Sequence, residues 1–517
     1  MPLLSELTIP KKRKSKPHRY QKKKIDIIEE HFDDYFVNTT LHGLKYVGMT
    51  NLSIIERLFF LVSFIFVVCL SGYFITNVYM KWVRTPIIIS LDPQLSQSKD
   101  FPFPAVTICN MNQARNTFAK NISRDSIEYA VLTSMCHHTK LDSTFKDNIF
   151  GKWSYVRKLI LNITQPCSQL LTSCRFSGRS IDCNKIFRTI LTDEGLCCTF
   201  NSLDSAYMFS RFSENNNFDS GVPRSSVFWS PETKYNNQVF DETPRRNPGA
   251  GVHMGLSIML NLDFDEYFCS SSNSYGFKVL LHNPAETPKI SNFGLLLSAG
   301  METRLLFSPV WYSASPSIKD IHQNVRQCIF ENESKLDFFR VYTKQNCEME
   351  CEASITEQEC KCRALHMPKL NDEVRICDQR DSAYRTEYFG DDSLLCECLP
   401  ACYEISYSTE MSSAPLLRNN MFDGDAILDL KNTGILHVFL EDASFRSFTK
   451  TEFIGFTEFL SNTGGLLGLF MGFSVLSVVE IIYFSSMRPY YMHKKEKELL
   501  RKAATLVSKS EIVELSE

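Results

Sequence analysis

The residues from Leu58 to Met80 read LFFLVSFIFVVCLSGYFITNVYM, a run without a charge that is closed off by Arg57 and Lys81. It is about 23 residues long, and about 20 apolar residues suffice to cross the hydrocarbon core of a bilayer. A cleaved secretory leader has a shorter apolar core and starts near the N-terminus, whereas here about 57 residues come first. The segment therefore reads as a membrane span. A second apolar stretch, Phe453 to Phe484, is about 32 residues long and as one straight helix would measure about 48 Å, beyond the ~30 Å core. It must tilt, break or protrude.

Basic flanks set the orientation. Lys11 to Lys24 (KKRKSKPHRYQKKK) precedes the first span and Lys494 to Lys502 follows the second, which places both termini in the cytoplasm. The first run also has the composition of a nuclear or nucleic-acid patch, but beside a span it serves topology and contact with membrane lipids. No nucleic-acid partner is expected. All of the 18 cysteines except Cys69 lie between the spans, a density that belongs to an oxidising compartment. Sequons at Asn121, Asn162 and Asn332 fall in the same region and are expected to be glycosylated, while those at Asn38 and Asn51 lie on the inner side and should be silent. The termini carry about +4 and about +2, leaving about −9 for the rest, a balance that raises local cation concentration or simply keeps a surface soluble.

The expected organisation is a cytoplasmic segment (1–57), a first transmembrane helix (58–80), an extracellular disulfide-rich domain (81–452), a second transmembrane helix with a pore segment (453–484) and a cytoplasmic tail (485–517). The location is the plasma membrane. Within the extracellular part, Gly276 to His282 and Ser291 to Leu297 alternate as strands do, Lys335 to Cys360 has helical spacing, and Ser213 to Pro248 reads as polar loops. This predicts an α+β membrane protein. Cys347, Cys351, Cys360 and Cys362 have the spacing C-x3-C-x8-C-x-C, and Cys396, Cys398 and Cys402 the spacing C-x-C-x3-C. The near mirror image suggests two antiparallel segments stapled rung by rung. An oxidising compartment without interleaved histidines argues against zinc, so no metal is expected, and spacing alone leaves connectivity open.

The second span carries more than an anchor needs. Ser461, Gly464, Gly465, Gly468 and Gly472 recur at intervals of three or four and give one helix face almost free of side chains, which lets neighbouring helices approach. Glu458 lies near the outer end and Glu480 near the inner end, and a carboxylate deep in a bilayer costs on the order of 3 kcal/mol unless it faces protein or water. Rings of acidic residues along a wet path make a cation pathway. Between them, Gly472-Phe473-Ser474 offers an unwound backbone whose carbonyls can coordinate a partly dehydrated cation. One such helix per chain cannot enclose a pore, so several chains must meet about an axis.

These residues resemble the degenerin/epithelial sodium channel superfamily, and most closely its insect pickpocket-type subunits. FPFPAVTICN (Phe101 to Asn110) is similar to the signature after the first span, FLSNTGGLLGLFMGFSVLSVVEIIYF (Phe459 to Phe484) to the second span, and His42-Gly43 to the cytoplasmic gating motif. The resemblance implies a trimeric, sodium-selective, amiloride-sensitive channel assembled from homologous subunits, sensory in role. Sodium is its permeant ion and no cofactor is implied. Its extracellular domain would have a β-sheet core and a helical thumb. Gly472, Phe473 and Ser474 would form the selectivity constriction. Ser461, Asn462, Gly465, Gly468 and Glu480 would line the pore, and His42, Gly43 and Ser461 would serve gating. The implied disulfides are Cys109 with Cys197, Cys174 with Cys183, Cys328 with Cys402, Cys347 with Cys398, Cys351 with Cys396, and Cys362 with Cys377. Cys136, Cys167, Cys198 and Cys269 are left to pair among themselves, and the partner expected for Cys360 falls near Ser382-Ala383-Tyr384, where no cysteine stands.

Two departures bear on gating. Arg326 stands where proton-gated relatives carry a tryptophan, and Asn462 stands where they carry an aspartate, so the resemblance does not imply proton gating. Competing readings are a non-conducting accessory subunit and a two-span scavenger-type lipid receptor, which would need neither the acidic residues nor the glycine face. A purinergic-type channel would need a basic cluster for phosphates. No catalytic constellation stands out; His137-His138 has neither carboxylate nor nucleophile at useful spacing.

Overall fold

A computed structural model of the chain describes residues 32, 34–49, 51–136, 153–210, 226–235, 243–368, 374–377, 396–417, 429–495, 497–499 and 501–502. The chain divides into two compact units, Met1–Pro86 with Phe453–Glu517, and Ile87–Glu452.

In the first unit the longest element is the helix Ile54–Arg84. Its start is fixed by a capping box: the Ser53 side chain accepts from Glu56 N while Glu56 reaches back to Ser53 N. Only Ser71 along it is buried, and its apolar side chains face outward. Among the described residues this helix alone is long and apolar enough to cross a membrane by itself. The second apolar stretch is not one helix. It starts at Phe456, runs to Met471, breaks, and resumes at Val475, with the two arms bent by 71°. Phe453, expected to open the span, instead donates its backbone N–H to Pro86 O at 2.8 Å, outside the helix.

The described residues of the second unit form seventeen strands: β1 (Ile87–Gln97), β2 (Ala105–Asn110), β3 (Asn112–Arg115), β4 (Leu171–Phe176), β5 (Arg179–Ile181), β6 (Phe187–Thr192), β7 (Gly195–Phe200), β8 (Leu256–Asn261), β9 (Tyr267–Ser270), β10 (Phe277–His282), β11 (Leu295–Leu297), β12 (Met301–Ala314), β13 (Cys362–Arg363), β14 (Arg375–Ile376), β15 (Glu404–Pro415), β16 (Thr433–Leu440) and β17 (Ser444–Glu452). An eight-stranded mixed sheet runs β1-β17-β12-β16-β8-β4-β5, with β15 also paired to β12, and a five-stranded sheet runs β11-β10-β2-β7-β6. The core lies between them. Phe103, Val106, Ile108, Phe200, Phe277 and Val279 interlock with Leu256, Ile258, Leu305, Phe307, Leu436 and Val438, all essentially inaccessible to solvent. The Phe103 ring meets Phe176, Phe200 and Phe307 edge-on at 5.1–5.8 Å, the geometry that aromatic quadrupoles favour.

Two sequence expectations shift here. The helix expected from Lys335 begins only at Lys344, where Thr343 accepts from Asn346 N as its cap. The preceding residues are held out of the helix because Glu350 accepts from the Asp337 and Phe338 N–H groups while Arg340 N donates to Met208 O. The strand expected from Ser291 begins only at Leu295; Asp193 accepts from the N–H groups of Ile290 and Ser291 and stabilises a short turn of helix at Ile290–Phe293.

Eight disulfides stitch this unit: Cys109–Cys197, Cys136–Cys269, Cys167–Cys198, Cys174–Cys183, Cys328–Cys402, Cys347–Cys398, Cys351–Cys396 and Cys362–Cys377. Four residues along a helix rise about 6 Å and two residues along an extended chain about 6.6 Å. That match lets Cys347 and Cys351 on the helix Lys344–Cys360 face Cys398 and Cys396 as adjacent rungs. Cys360 is outside any disulfide, and Ser382-Ala383-Tyr384 lies outside the described residues.

Candidate functional site

The break in the second apolar stretch is made by three residues. Gly472 adopts a left-handed conformation (φ +66°) and returns its N–H to Gly468 O at 2.9 Å, which closes the helix Phe456–Met471 as glycine does at many helix ends. Phe473 N donates to Leu467 O. Ser474 then caps the next helix: its side chain accepts from Ser477 N, and Ser477 Oγ accepts in return from Ser474 N at 3.1 Å. The C-terminal end of one helix and the N-terminal start of another thus meet at Gly472-Phe473-Ser474. The carbonyl end of a helix carries about half a negative charge and favours a cation.

The N-terminal segment braces this break. His42 N donates to Met471 O at 2.9 Å, so one carbonyl of the last helical turn is already occupied. The His42 ring lies against Gly472 so closely that a Cβ there would stand 2.7–2.8 Å from it. Gly43 has φ +84° and starts the short helix Leu44–Gly48, a conformation that suits glycine. Two residues before His42, Thr40 takes hold of Glu480: Thr40 Oγ1 donates to Glu480 Oε2 at 2.7 Å and Thr40 N points at both carboxylate oxygens at 3.2 and 3.3 Å. Thr40 Oγ1 also lies 3.1 Å from Ser477 Oγ, which is buried. Further along, Arg488 Nε donates to Asp34 Oδ2 at 2.9 Å and the Tyr35 ring meets Phe484 edge-on.

The site therefore brings His42, Gly43, Gly472, Phe473, Ser474 and Glu480 together. Ser461, Asn462 and Glu458 lie toward the other end of the helix Phe456–Met471, all exposed on the isolated chain. Gly464 and Gly465 have nothing within 4 Å of where a side chain would be, and Gly468 only Phe473 O at 3.8 Å. The opposite side of this helix packs on Ile54–Arg84 through stacked pairs, Trp82 with Phe459 at 4.8 Å and Phe74 with Phe470 at 5.8 Å. Sequence reasoning missed Thr40, Ser477 and the Asp34–Arg488 pair. The only local signal among them was the Ser474-x-x-Ser477 spacing of a helix start.

In the second unit Arg326 is 4 % exposed and fully occupied. Its Nε donates to Cys328 O, its Nη1 to Lys319 O and Ile321 O, and its Nη2 to Glu333, while its guanidinium sits 4.7 Å from the Phe330 ring. Arg326 is thus a structural knot beside the Cys328–Cys402 bridge. Asn121, Asn162 and Asn332 are all exposed. Among the described residues no group of His, Cys, Asp or Glu is arranged to hold a metal ion.

A long apolar helix thus lies beside a broken helix whose capped ends and carboxylate are braced by the N-terminal segment. Residues 35–484 match the family described as amiloride-sensitive sodium channel, and the chain belongs to that family. It is 40 % identical over 476 residues to Pickpocket protein 28 of Drosophila melanogaster, covering 88 % of this chain and 78 % of that one. It is 25 % identical to the sodium channel protein Nach of the same fly over 94 % of this chain and 95 % of that one, and 25 % identical to acid-sensing ion channel 1A of Danio rerio over 86 % and 85 %. The chain is accordingly a sodium-type cation channel subunit of a membrane channel family with a disulfide-rich, sheet-rich extracellular domain.

Proposed function

We propose that this chain is the pore-forming subunit of a trimeric, sodium-selective, amiloride-sensitive channel in the plasma membrane. It crosses the bilayer twice, with both termini in the cytoplasm, residues 81–452 outside, and a sensory role. The pore is lined by Ser461, Asn462, Gly465, Gly468 and Glu480, and Gly472, Phe473 and Ser474 form its narrowest part. His42 and Gly43 gate it from below, and Asn121, Asn162 and Asn332 carry glycans. The observation that carries this reading is the capped break at Gly472–Ser474, held by His42 on one side and by Thr40 through Glu480 on the other. A lipid anchor or a lipid receptor needs no such break. The open glycine face at Gly464 and Gly465 suits close approach by helices of neighbouring subunits.

The test is expression of the full chain in oocytes with sodium current recorded with and without amiloride. Ser461→Val adds bulk on the open face, and a constitutive, amiloride-blocked current is expected from it, with ion selectivity altered when Gly472 or Ser474 is also changed. A channel that stays silent at the cell surface, alone and with related subunits, would sink the pore-forming reading in favour of an accessory or receptor role.

A further inference from the structure

A cavity of about 490 Å³ opens in the second unit, lined among others by Arg115, Thr117, Phe118, Asn121, Ile122 and Glu128. Its size falls within the range of about 300–1,000 Å³ typical of small-ligand sites. Phe118 and Ile122 give it an apolar side, both packed against the buried cluster of Val131, Leu132 and Ile160. The rest is polar and mixed in sign. Glu128 accepts from Tyr155 OH, Thr117 Oγ1 donates to Glu266 Oε2 at 2.8 Å, and Arg115 Nη2 donates to Asn162 O. Arg115 Nε is buried and has no hydrogen-bond partner, and a buried donor left unpaired keeps its full desolvation cost. An occupant matched to these walls has one apolar face and several groups that both donate and accept, which is the chemistry of a sugar ring.

The sugar has an attachment point on the cavity itself. Asn121 is exposed, lines the cavity and opens the sequon Asn121-Ile122-Ser123. Its Nδ2 donates to Thr117 O at 2.9 Å, and the turn that follows the short helix Asn116–Ala119 is closed by Asn121 N to Phe118 O at 3.2 Å. Phe118 thus stands three residues before the acceptor and faces the same space.

We propose that the first N-acetylglucosamine of a glycan on Asn121 occupies this cavity, stacked on the Phe118 ring and hydrogen-bonded to Arg115 and Glu128. The inference rests on the reading that this unit is extracellular. The linkage forms when Asn121 Nδ2 displaces the diphosphate of a lipid-linked oligosaccharide from the sugar C1, losing one amide proton. The second N–H stays on Nδ2 to hold Thr117 O. The seated sugar then ties the 116–123 segment to the helix Ile127–Met135 through Glu128.

The full chain, produced in mammalian cells and purified in detergent, is treated with a peptide N-glycosidase, and conversion of asparagine to aspartate is followed by mass spectrometry at each sequon. In the folded protein, release at Asn121 is expected to be about tenfold slower than at Asn162 and Asn332, because it waits on local opening. After denaturation the three should be equal. Phe118→Leu keeps an apolar side chain but removes the aromatic face, and is expected to bring Asn121 close to the other two sites. Equal rates in the folded wild type would overturn the proposal while leaving the extracellular reading intact. An absence of glycan at all three sites would overturn both, and absence at Asn121 alone would overturn the proposal.

Discussion

At Gly472 the backbone sits at φ +66°, where an L side chain costs about 1–2 kcal/mol, and a Cβ would also stand 2.7 Å from His42 Cε1. The two penalties are separable, because His42→Ala removes the second and leaves the first. In a Ser461→Val background, Gly472→Ala is expected to shift the balance of open and closed channels through both. The double change with His42→Ala should depart from additivity by about 1–2 kcal/mol, since residues in direct contact couple. Currents normalised to surface protein measure this, and strict additivity would show that the ring does not bear on Gly472 in the working channel. The glycine and the histidine were both legible in the sequence as members of separate motifs. Their contact was not, because it joins residues 430 positions apart in the chain, on the order of a separation that no local period reports. Thr40 was invisible for the same reason: a threonine before a His-Gly pair has no pattern until Glu480 is beside it.

On the scale of elements, sequence pattern located the apolar helix Ile54–Arg84, the strand β10 and the C-terminal end of the helix Lys344–Cys360, but started that helix too early. The apolar spacing of Leu336, Phe338 and Phe339 continues the helical register, yet Phe338 and Phe339 are buried and Leu336 half-buried from a non-helical segment, pinned by Glu350. Tertiary hydrogen bonds decided what composition left ambiguous. The overlong second span was legible as something that must bend, and glycine with a capping serine supplied the place. The ladder of disulfides on the Lys344–Cys360 helix has a measurable consequence. Replacing Cys351 and Cys396 together by alanine removes one rung while Cys347–Cys398 still holds the ends close. The loop released is short, so the expected loss is about 2–3 kcal/mol rather than the larger value of an isolated long loop. Thermal unfolding of the purified channel would show it as a lower midpoint with folding retained. Failure to fold would mean that this rung is needed to form the helix and does more than stabilise it.

For the molecule as a whole, two neighbours in the body Ile87–Glu452 with large shifts contribute opposing terms to the pH dependence of stability. His282 is fully enclosed, with Nε2 2.9 Å from Thr107 Oγ1 and Nδ1 3.0 Å from Asn283 O, and burial pushes its pKa down to about 4. Glu286 follows four residues later, where the chain docks on the helix Lys344–Cys360 through Asn346 Nδ2 to Ala285 O. Burial, with Glu404 nearby, pushes its carboxyl up to about 8, although the residue as a whole keeps partial solvent access. A histidine kept neutral by the fold contributes stability above its unfolded value of 6.5, lost as pH falls toward 4. A carboxyl kept protonated by the fold contributes stability below its unfolded value of 4.5, lost as pH rises through about 8. Within this pair the slopes oppose each other between these unfolded values, and above 6.5 only that of Glu286 remains. From pH 6.5 to 8 the wild type is therefore expected to lose on the order of 1–2 kcal/mol, reduced by whatever water reaches the carboxyl. Glu286→Gln stays neutral and keeps a side-chain oxygen that accepts from Asn283 Nδ2, so it should flatten that decline and leave the His282 fall unopposed below pH 6.5. Denaturant unfolding of the full chain, followed by fluorescence of the buried Trp229 and Trp311, reads both limbs. Equal slopes above pH 6.5 in the two proteins would mean that Glu286 is ionised in the fold and that another group sets the alkaline limb.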